Sequence, residues 1–157
     1  MSRTIFEAVY FDEPGPSNTK RTLEIAQQRS NELDINTILV ASTRGNTGAL
    51  AAAMFGDRNL VVVSHSTGFV ERNVQQLTDE NRAAIEAAGV TILTCQHALG
   101  GVNRAVRKKL GTYLTDEIIA YTLRIFGQGT KVCVEIALMA ADAGLATVGE
   151  PCIAVAG

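Results

Sequence analysis

Four short stretches of the chain are apolar without alternation: Thr37–Ser42, Leu60–Ser64, Val90–Cys95 and Cys152–Ala156. A strand with one face in water alternates polar and apolar residues. An unbroken β-branched run is what a strand needs when both of its faces are covered, as in parallel sheets flanked by helices. Parallel neighbours cannot be joined by a hairpin, so each connection has to cross over the sheet. These runs therefore predict an α/β fold, a three-layer α/β/α sandwich around a mostly parallel sheet. A fifth, weaker run at Ala8–Phe11 is read as a further strand.

The intervening segments carry helical periodicity. Pro16 and Ser17 open the first, with Leu23, Ala26, Ser30 and Leu33 on one face. Asn46 or Thr47 caps the second, which carries Leu50, Ala53 and Met54. Asp79 caps the third, with Ala84, Ile85 and Ala88 facing inward and Gly89 at the C′ position. Three more helices are predicted between Val102 and Gly144. The first is basic and amphipathic (Val102, Ala105, Val106, Lys109, Leu110) and breaks at Gly111. The second is capped by Thr115-Asp116-Glu117 and presents Ile118, Ile119, Thr122, Leu123 and Phe126. The third, capped by Thr130, runs through Val132, Cys133, Ile136, Ala137 and Ala140. It is apolar enough to imply a core element or a contact in a homo-oligomer.

With 157 residues and no repeat or linker, residues 1–157 read as one domain. Fourteen basic against sixteen acidic side chains give a net charge of −2, which argues against nucleic acid or an anionic membrane as partner. Charges interrupt each apolar stretch before the ~20 residues a membrane span requires. Glu7 stands where a signal peptide would place its apolar run, so a cytoplasmic location is expected. Cys95, Cys133 and Cys152 form no CxxC pair and read as small buried hydrophobes in a reducing compartment.

Ligands of open parallel sheets bind at the carboxyl ends of the strands. Three such ends here are polar and glycine-bearing: Ser42–Gly48, Ser64–Phe69 and Thr94–Ala98. A strand, a hydroxyl-rich turn and a helix N-terminus present free N–H groups and a positive dipole to an anion. Ser42, Thr43, Gly45, Asn46 and Thr47 are candidates on the first turn, Ser64, His65, Thr67 and Gly68 on the second, and Thr94 and His97 on the third. Gly127, Gln128, Gly129, Thr130 and Lys131 form a fourth candidate, which reads equally as a helix break with a threonine cap. No third residue accompanies His65 and His97 at metal-ligand spacing, so no metal is expected. Asp12-Glu13 reads as a solvated acidic pair. Arg104, Arg107, Lys108 and Lys109 read as a solvated helix face, and Lys131 and Glu135 as an ion pair one turn apart.

Tyr10–Pro16, Val40-Ala41-Ser42-Thr43, His65–Phe69 and Phe126–Glu135 continuing through Met139–Gly144 resemble a family of standalone proteins similar to the C-terminal α/β domain of pyruvate kinase. The resemblance spans essentially the whole chain. It implies that fold and a phosphorylated small molecule as partner. In the kinases the turn after the first strand holds a phosphate of a sugar-bisphosphate effector. That turn corresponds to Ser42, Thr43, Gly45 and Thr47, with Arg44 where the kinases usually have serine. The resemblance also implies flavin mononucleotide (FMN) as the bound cofactor, or else a regulatory or assembly module without catalysis. The kinases' catalytic barrel has no counterpart here, so phosphoryl transfer from phosphoenolpyruvate is not implied. Members of the family continue past Gly157 into a further loop and strands, so a C-terminally truncated member is expected.

Overall fold

The structure, a computed structural model, describes residues 7–157. Its elements are α1 (Thr19–Leu33), preceded by a 3₁₀ turn at Pro16–Asn18, then β1 (Thr37–Ala41), α2 (Asn46–Met54), β2 (Asn59–Ser64), α3 (Asp79–Ala87) and β3 (Thr91–Thr94). Three helices follow, α4 (Val102–Leu110), α5 (Thr115–Arg124) and α6 (Gln128–Asp142), and β4 (Cys152–Val155) closes the sheet. The strand order is β3-β2-β1-β4, with every pair parallel. Thr37 stands opposite Asn59 on one side and Cys152 on the other, so β1 is central.

The two-residue period of each strand divides the core. Ile38, Val40, Leu60 and Val62 pack with Leu23, Ala51, Phe55 and Ile85 of α1–α3 on one face. Leu39, Val61 and Val63 pack with Ile136, Met139 and Ala140 of α6 on the other. Ile38, Leu39, Val40, Val61 and Val62 are wholly buried, each stabilising the fold by about 1.5–3 kcal/mol. This double cover is what the unbroken runs predict. α5 lies on α6, and α4 on α5.

Several details differ from the sequence reading. Ala8–Phe11 has no regular structure and pairs with no strand. It runs straight into Asp12-Glu13 and a Pro-Gly-Pro turn, which supply few ladder donors. The buried face of α2 is Gly48, Ala51 and Ala52, while Leu50 and Ala53 are exposed. Small residues let this helix lie against the sheet, and a Cβ on Gly48 would sit 2.7 Å from Val62 Cγ1. Thr78 rather than Asp79 caps α3, its Oγ1 accepting the Asn81 N–H at 3.3 Å, and only Ile85 of the expected face is buried. Gly89 does follow with φ +73.

α5 buries Glu117 and Ala120, leaving Ile118, Ile119 and Phe126 largely exposed. Gly127, not Thr130, caps α6, and the Thr130 hydroxyl donates back to the Phe126 carbonyl at 3.1 Å. Cys95 and Cys133 are half-buried. Cys152 is exposed, because its strand begins at the open end of the sheet. Burial pushes the Cys133 and Cys95 thiols up. No helix among the described residues is long and apolar enough to cross a membrane.

Candidate functional site

The carboxyl end of β1 leads into a closely packed turn, Ser42–Gly48. Ser42 is buried, and its Oγ accepts the Gly48 N–H at 3.1 Å, closing the turn on itself. Gly45, at φ +98, is the N-cap of α2, and a Cβ there would meet Asn81 Cβ at 2.4 Å. Asn81 Nδ2 donates to the Arg44 carbonyl and to Asn46 Oδ1 at 2.9 and 2.8 Å, pinning the turn to α3. Gly45 has no side chain to cap α2, and beyond the Ser42–Gly48 bond no side chain among the described residues takes the opening amides of Asn46 and Thr47. Thr43, Arg44, Asn46 and Thr47 surround its opening, and the exposed Arg44 side chain forms no ion pair among the described residues.

The β1–α2 turn divides two clefts. One, about 750 Å³, lies where the strand order reverses, between the ends of β1 and β4. Phe11, Pro14 and Pro16 form its outer wall and Thr47 and Arg44 its inner one. The other, about 520 Å³, lies over the ends of β1 and β2, beneath α4–α6. Ser42 and Thr43 belong to the walls of both.

The second cleft is lined by oriented polar groups. His65 Nδ1 lies 2.8 Å from Gln76 Oε1, and its Nε2 lies 3.4 Å from Thr43 Oγ1. The carbonyl partner assigns the proton to Nδ1, leaving Nε2 to accept from the hydroxyl. His97 accepts the Ser66 N–H on Nε2 at 3.3 Å and turns Nδ1 to Glu135 Oε2 at 3.6 Å. Phe69 stacks on His97 with ring centroids 4.7 Å apart, and the Arg104 guanidinium lies over Phe69 at 4.3 Å.

Glu135 is 3% exposed and fully engaged. Oε1 accepts the Leu99 N–H at 3.0 Å, and Oε2 pairs with Lys131 and His97. Burial alone works strongly against its charge. Hydrogen bonds from His97 and Lys131, with the Lys131 charge, outweigh it and hold the carboxyl down at about 2. Arg107 pairs with Glu117, and Arg124 Nε donates to Gln128 Oε1 at 2.8 Å. Four cationic side chains, Arg104, Arg107, Arg124 and Lys131, thus face two carboxylates across this cleft. Arg104 and Arg124 have no carboxylate partner among the described residues, which biases the cleft toward anions.

Of the sequence candidates, Ser42, Thr43, Ser64, His65, His97, Gln128 and Lys131 line the second cleft, and Asn46 and Thr47 the first. The others lie outside both walls. Gly45 serves the packing against α3. Thr94 lies behind the wall, with its hydroxyl 2.6 Å from Ser64 Oγ. Thr67 and Gly68 belong to the outer part of the β2–α3 loop, where Gly68 N–H donates to the Val74 carbonyl at 2.9 Å. Gly127, Gly129 and Thr130 form the helix break, and Gly129 lies so close to β4 that a Cβ would approach the Ala156 carbonyl to 2.8 Å. Lys131 carries the Glu135 ion pair and is 5% exposed. Asp12 and Glu13 are exposed.

Phe69, Arg104, Arg107, Tyr113, Glu117 and Arg124 are cleft residues that sequence reasoning left out. Arg104 and Arg107, read as solvated, face inward from α4, whereas Lys108 and Lys109 are exposed. The i, i+3 spacing of the two arginines, on the helix that opens after Gly100-Gly101, was the available signal. Among the described residues no three His, Cys, Asp or Glu side chains converge as a metal site would require.

An open, wholly parallel sheet with helices on both faces defines an α/β domain. Residues 20–157 match the model of the pyruvate kinase alpha/beta domain family, and the chain belongs to that family. Among solved structures, it is similar to an NH3-dependent NAD synthetase from Campylobacter jejuni in complex with the nitrate ion. The identity there is 12% and the TM-score 0.40, over 82% of this chain and 52% of that one. It is also similar to a hydrogen sulfide-producing enzyme complexed with an α-aminoacrylate intermediate, at 16% identity and TM-score 0.35, over 80% of this chain and 38% of that one. The chain spans about half or less of the length of these enzymes, and their chemistry does not transfer to it at such likeness.

Proposed function

We propose that this protein is a small-ligand-binding module that seats the phosphate of a phosphorylated molecule on the β1–α2 turn, with FMN as the first candidate ligand. One observation carries the reading: with the Gly48 N–H taken by Ser42, the Asn46 and Thr47 N–H groups at the start of α2 have no side-chain cap and are ringed by the Thr43 and Thr47 hydroxyls and the Arg44 guanidinium. Free N–H groups, hydroxyl donors and a cation at the positive end of a helix are the donor set a phosphate requires.

That donor set fits the phosphate end of FMN. Its ring would need an apolar face, and Phe11 with Pro14 and Pro16 offers one in a cleft whose 750 Å³ falls in the range of small-molecule sites. FMN bound there would supply a redox-active ring. The chain's own part is binding and orientation: Thr43 and Thr47 donate to the phosphate, Arg44 balances its charge, and Phe11 covers the ring from solvent.

The test is a fluorescence titration of FMN and of riboflavin against wild type and the Thr43→Ala/Thr47→Ala double variant. Two charge-assisted bonds at about 1.5–3 kcal/mol each predict an FMN loss of roughly 100-fold or more, with riboflavin nearly unchanged. Equal losses for the two flavins place the phosphate elsewhere. Binding of neither flavin to wild type removes FMN as the ligand. A second reading, a regulatory or assembly module, is favoured by the exposed Ile118, Ile125, Phe126 and Leu138 on α5, its C-terminal turn and α6. It predicts a homo-oligomer by sedimentation and no retained small molecule.

A further inference from the structure

We propose that His65, through its contact with Thr43, becomes an imidazolium when the ligand's anionic group occupies the β1–α2 turn, so that a tetrahedral dianion binds there with the uptake of one proton. This rests on the reading of that turn as the phosphate site. Thr43 is the hinge of the argument, since it belongs to the walls of both clefts and its Oγ1 faces His65 Nε2 at 3.4 Å.

A threonine hydroxyl has one proton to donate. With no ligand, that proton goes to His65 Nε2, because Nδ1 is committed to Gln76 Oε1 at 2.8 Å. An anion on the turn competes for the same proton. When the hydroxyl swings to the anion, Nε2 loses its donor and faces only oxygen lone pairs. A proton from solvent on Nε2 then restores a hydrogen bond to Thr43 Oγ1 and adds a positive charge beside the anion. No covalent bond is made or broken. Gln76 still accepts from Nδ1–H in either state, so the ring need not turn.

The groups around His65 favour this role over its neighbour. His97 lies 5.3 Å away between ring centroids, but both of its nitrogens are held, by Ser66 N–H and Glu135. Phe69, at 4.1 Å from the His65 ring, carries Arg104 on its face. Beyond His97 stands the Lys131–Glu135 pair of α6. From the β1–α2 turn comes the Thr43 hydroxyl, and from the β2–α3 loop the neutral Gln75 and Gln76, with Gln75 Nε2 donating to the His65 carbonyl at 2.9 Å. His65 forms no carboxylate ion pair among the described residues, so a bound dianion is the counter-charge that would favour its proton.

Sulfate is the probe, because it stays a dianion throughout the range in which imidazoles titrate and any pH dependence then belongs to the protein. Calorimetry on wild type should give an affinity about thirtyfold higher at pH 5.5 than at pH 8, with close to one proton taken up at the upper end, read from buffers of different ionisation enthalpy. His65→Gln should flatten that dependence and His97→Gln should keep it. The chain has two histidines. Their imidazole signals in a nuclear magnetic resonance spectrum of wild type should therefore show one ring, and one only, moving to its protonated position on saturation with sulfate at pH 7. This arm needs no variant. Sulfate binding that is lost in Thr43→Ala yet independent of pH in wild type overturns the proton coupling and leaves the phosphate turn standing. A pH dependence that survives in His65→Gln also overturns it. Failure of both sulfate and FMN to bind wild type at any pH overturns the turn as an anion site, and this inference with it.

Discussion

Replacing Lys131 by methionine removes the ammonium from Glu135 while keeping most of the apolar stem that α6 buries. Glu135 is then left almost wholly enclosed, with the Leu99 N–H at 3.0 Å and His97 Nδ1 at 3.6 Å as its remaining partners. Removing one member of a buried pair costs about 3–5 kcal/mol, because the other charge stays uncompensated. The wild-type carboxyl gives a similar figure. Held at about 2 when folded, against about 4.3 in an unfolded chain, it contributes roughly 3 kcal/mol that is fully present above pH 4.3 and lost as pH falls toward 2. Urea unfolding at pH 7 should therefore show Lys131→Met destabilised by about 3–5 kcal/mol, or about 10 °C in Tm for a domain of this size. The gap should narrow steadily from pH 5 to pH 3, as the stranded carboxyl is neutralised in the variant and the wild type loses its advantage. Adding Glu135→Leu should recover much of the loss, since an apolar pair of similar volume suits the site. A pH 7 cost under 1 kcal/mol, or a cost that does not change with pH, would refute the reasoning.

Arg104→Gln should weaken binding of an anionic ligand in the second cleft by severalfold, since the guanidinium on Phe69 has no carboxylate partner, and the loss should shrink in high salt. Titrating a dianion at two salt concentrations reads both effects. Gly48→Ala should lower stability by about 1–3 kcal/mol despite its better helix propensity, because the new Cβ meets Val62 Cγ1 at 2.7 Å. Combining it with Val62→Ala should cost less than the sum of the two in denaturant melts.

The strands were legible because double cover demands unbroken apolar runs, and each of the four runs became a strand within a residue or two of its expected bounds. Helix faces were less so. Leu50 looks like a core residue by composition, yet Gly48 and Ala51 win the buried face by allowing a closer approach to Val62. On α5 the apolar stripe stays outside because Glu117, paired with Arg107, occupies the inward position. At the strand ends, the sequence marked the turns that do form the cleft walls. It could not show that Arg104 points inward and Lys108 outward, since that depends on how α4 sits against α5. Nor could periodicity decide between a ligand and Glu135 for Lys131, because both partners lie in the same direction from α6.

The order β3-β2-β1-β4 also bears on how the chain reaches its native state. β1, β2 and β3 follow one another along the chain with single-helix crossovers, so they can assemble from neighbouring segments. The other edge of β1 has to wait for β4, whose Cys152 pairs with Thr37 from the opposite end of the domain. Closing so long a loop is slow relative to local pairing. In the interval, β1 offers Ile38, Leu39 and Val40 on an unpaired edge, the kind of template on which a second chain can add a strand. Refolding yield should accordingly fall with protein concentration more steeply than for a sheet assembled wholly from consecutive strands. Denaturant jumps should show β4 docking as the late phase.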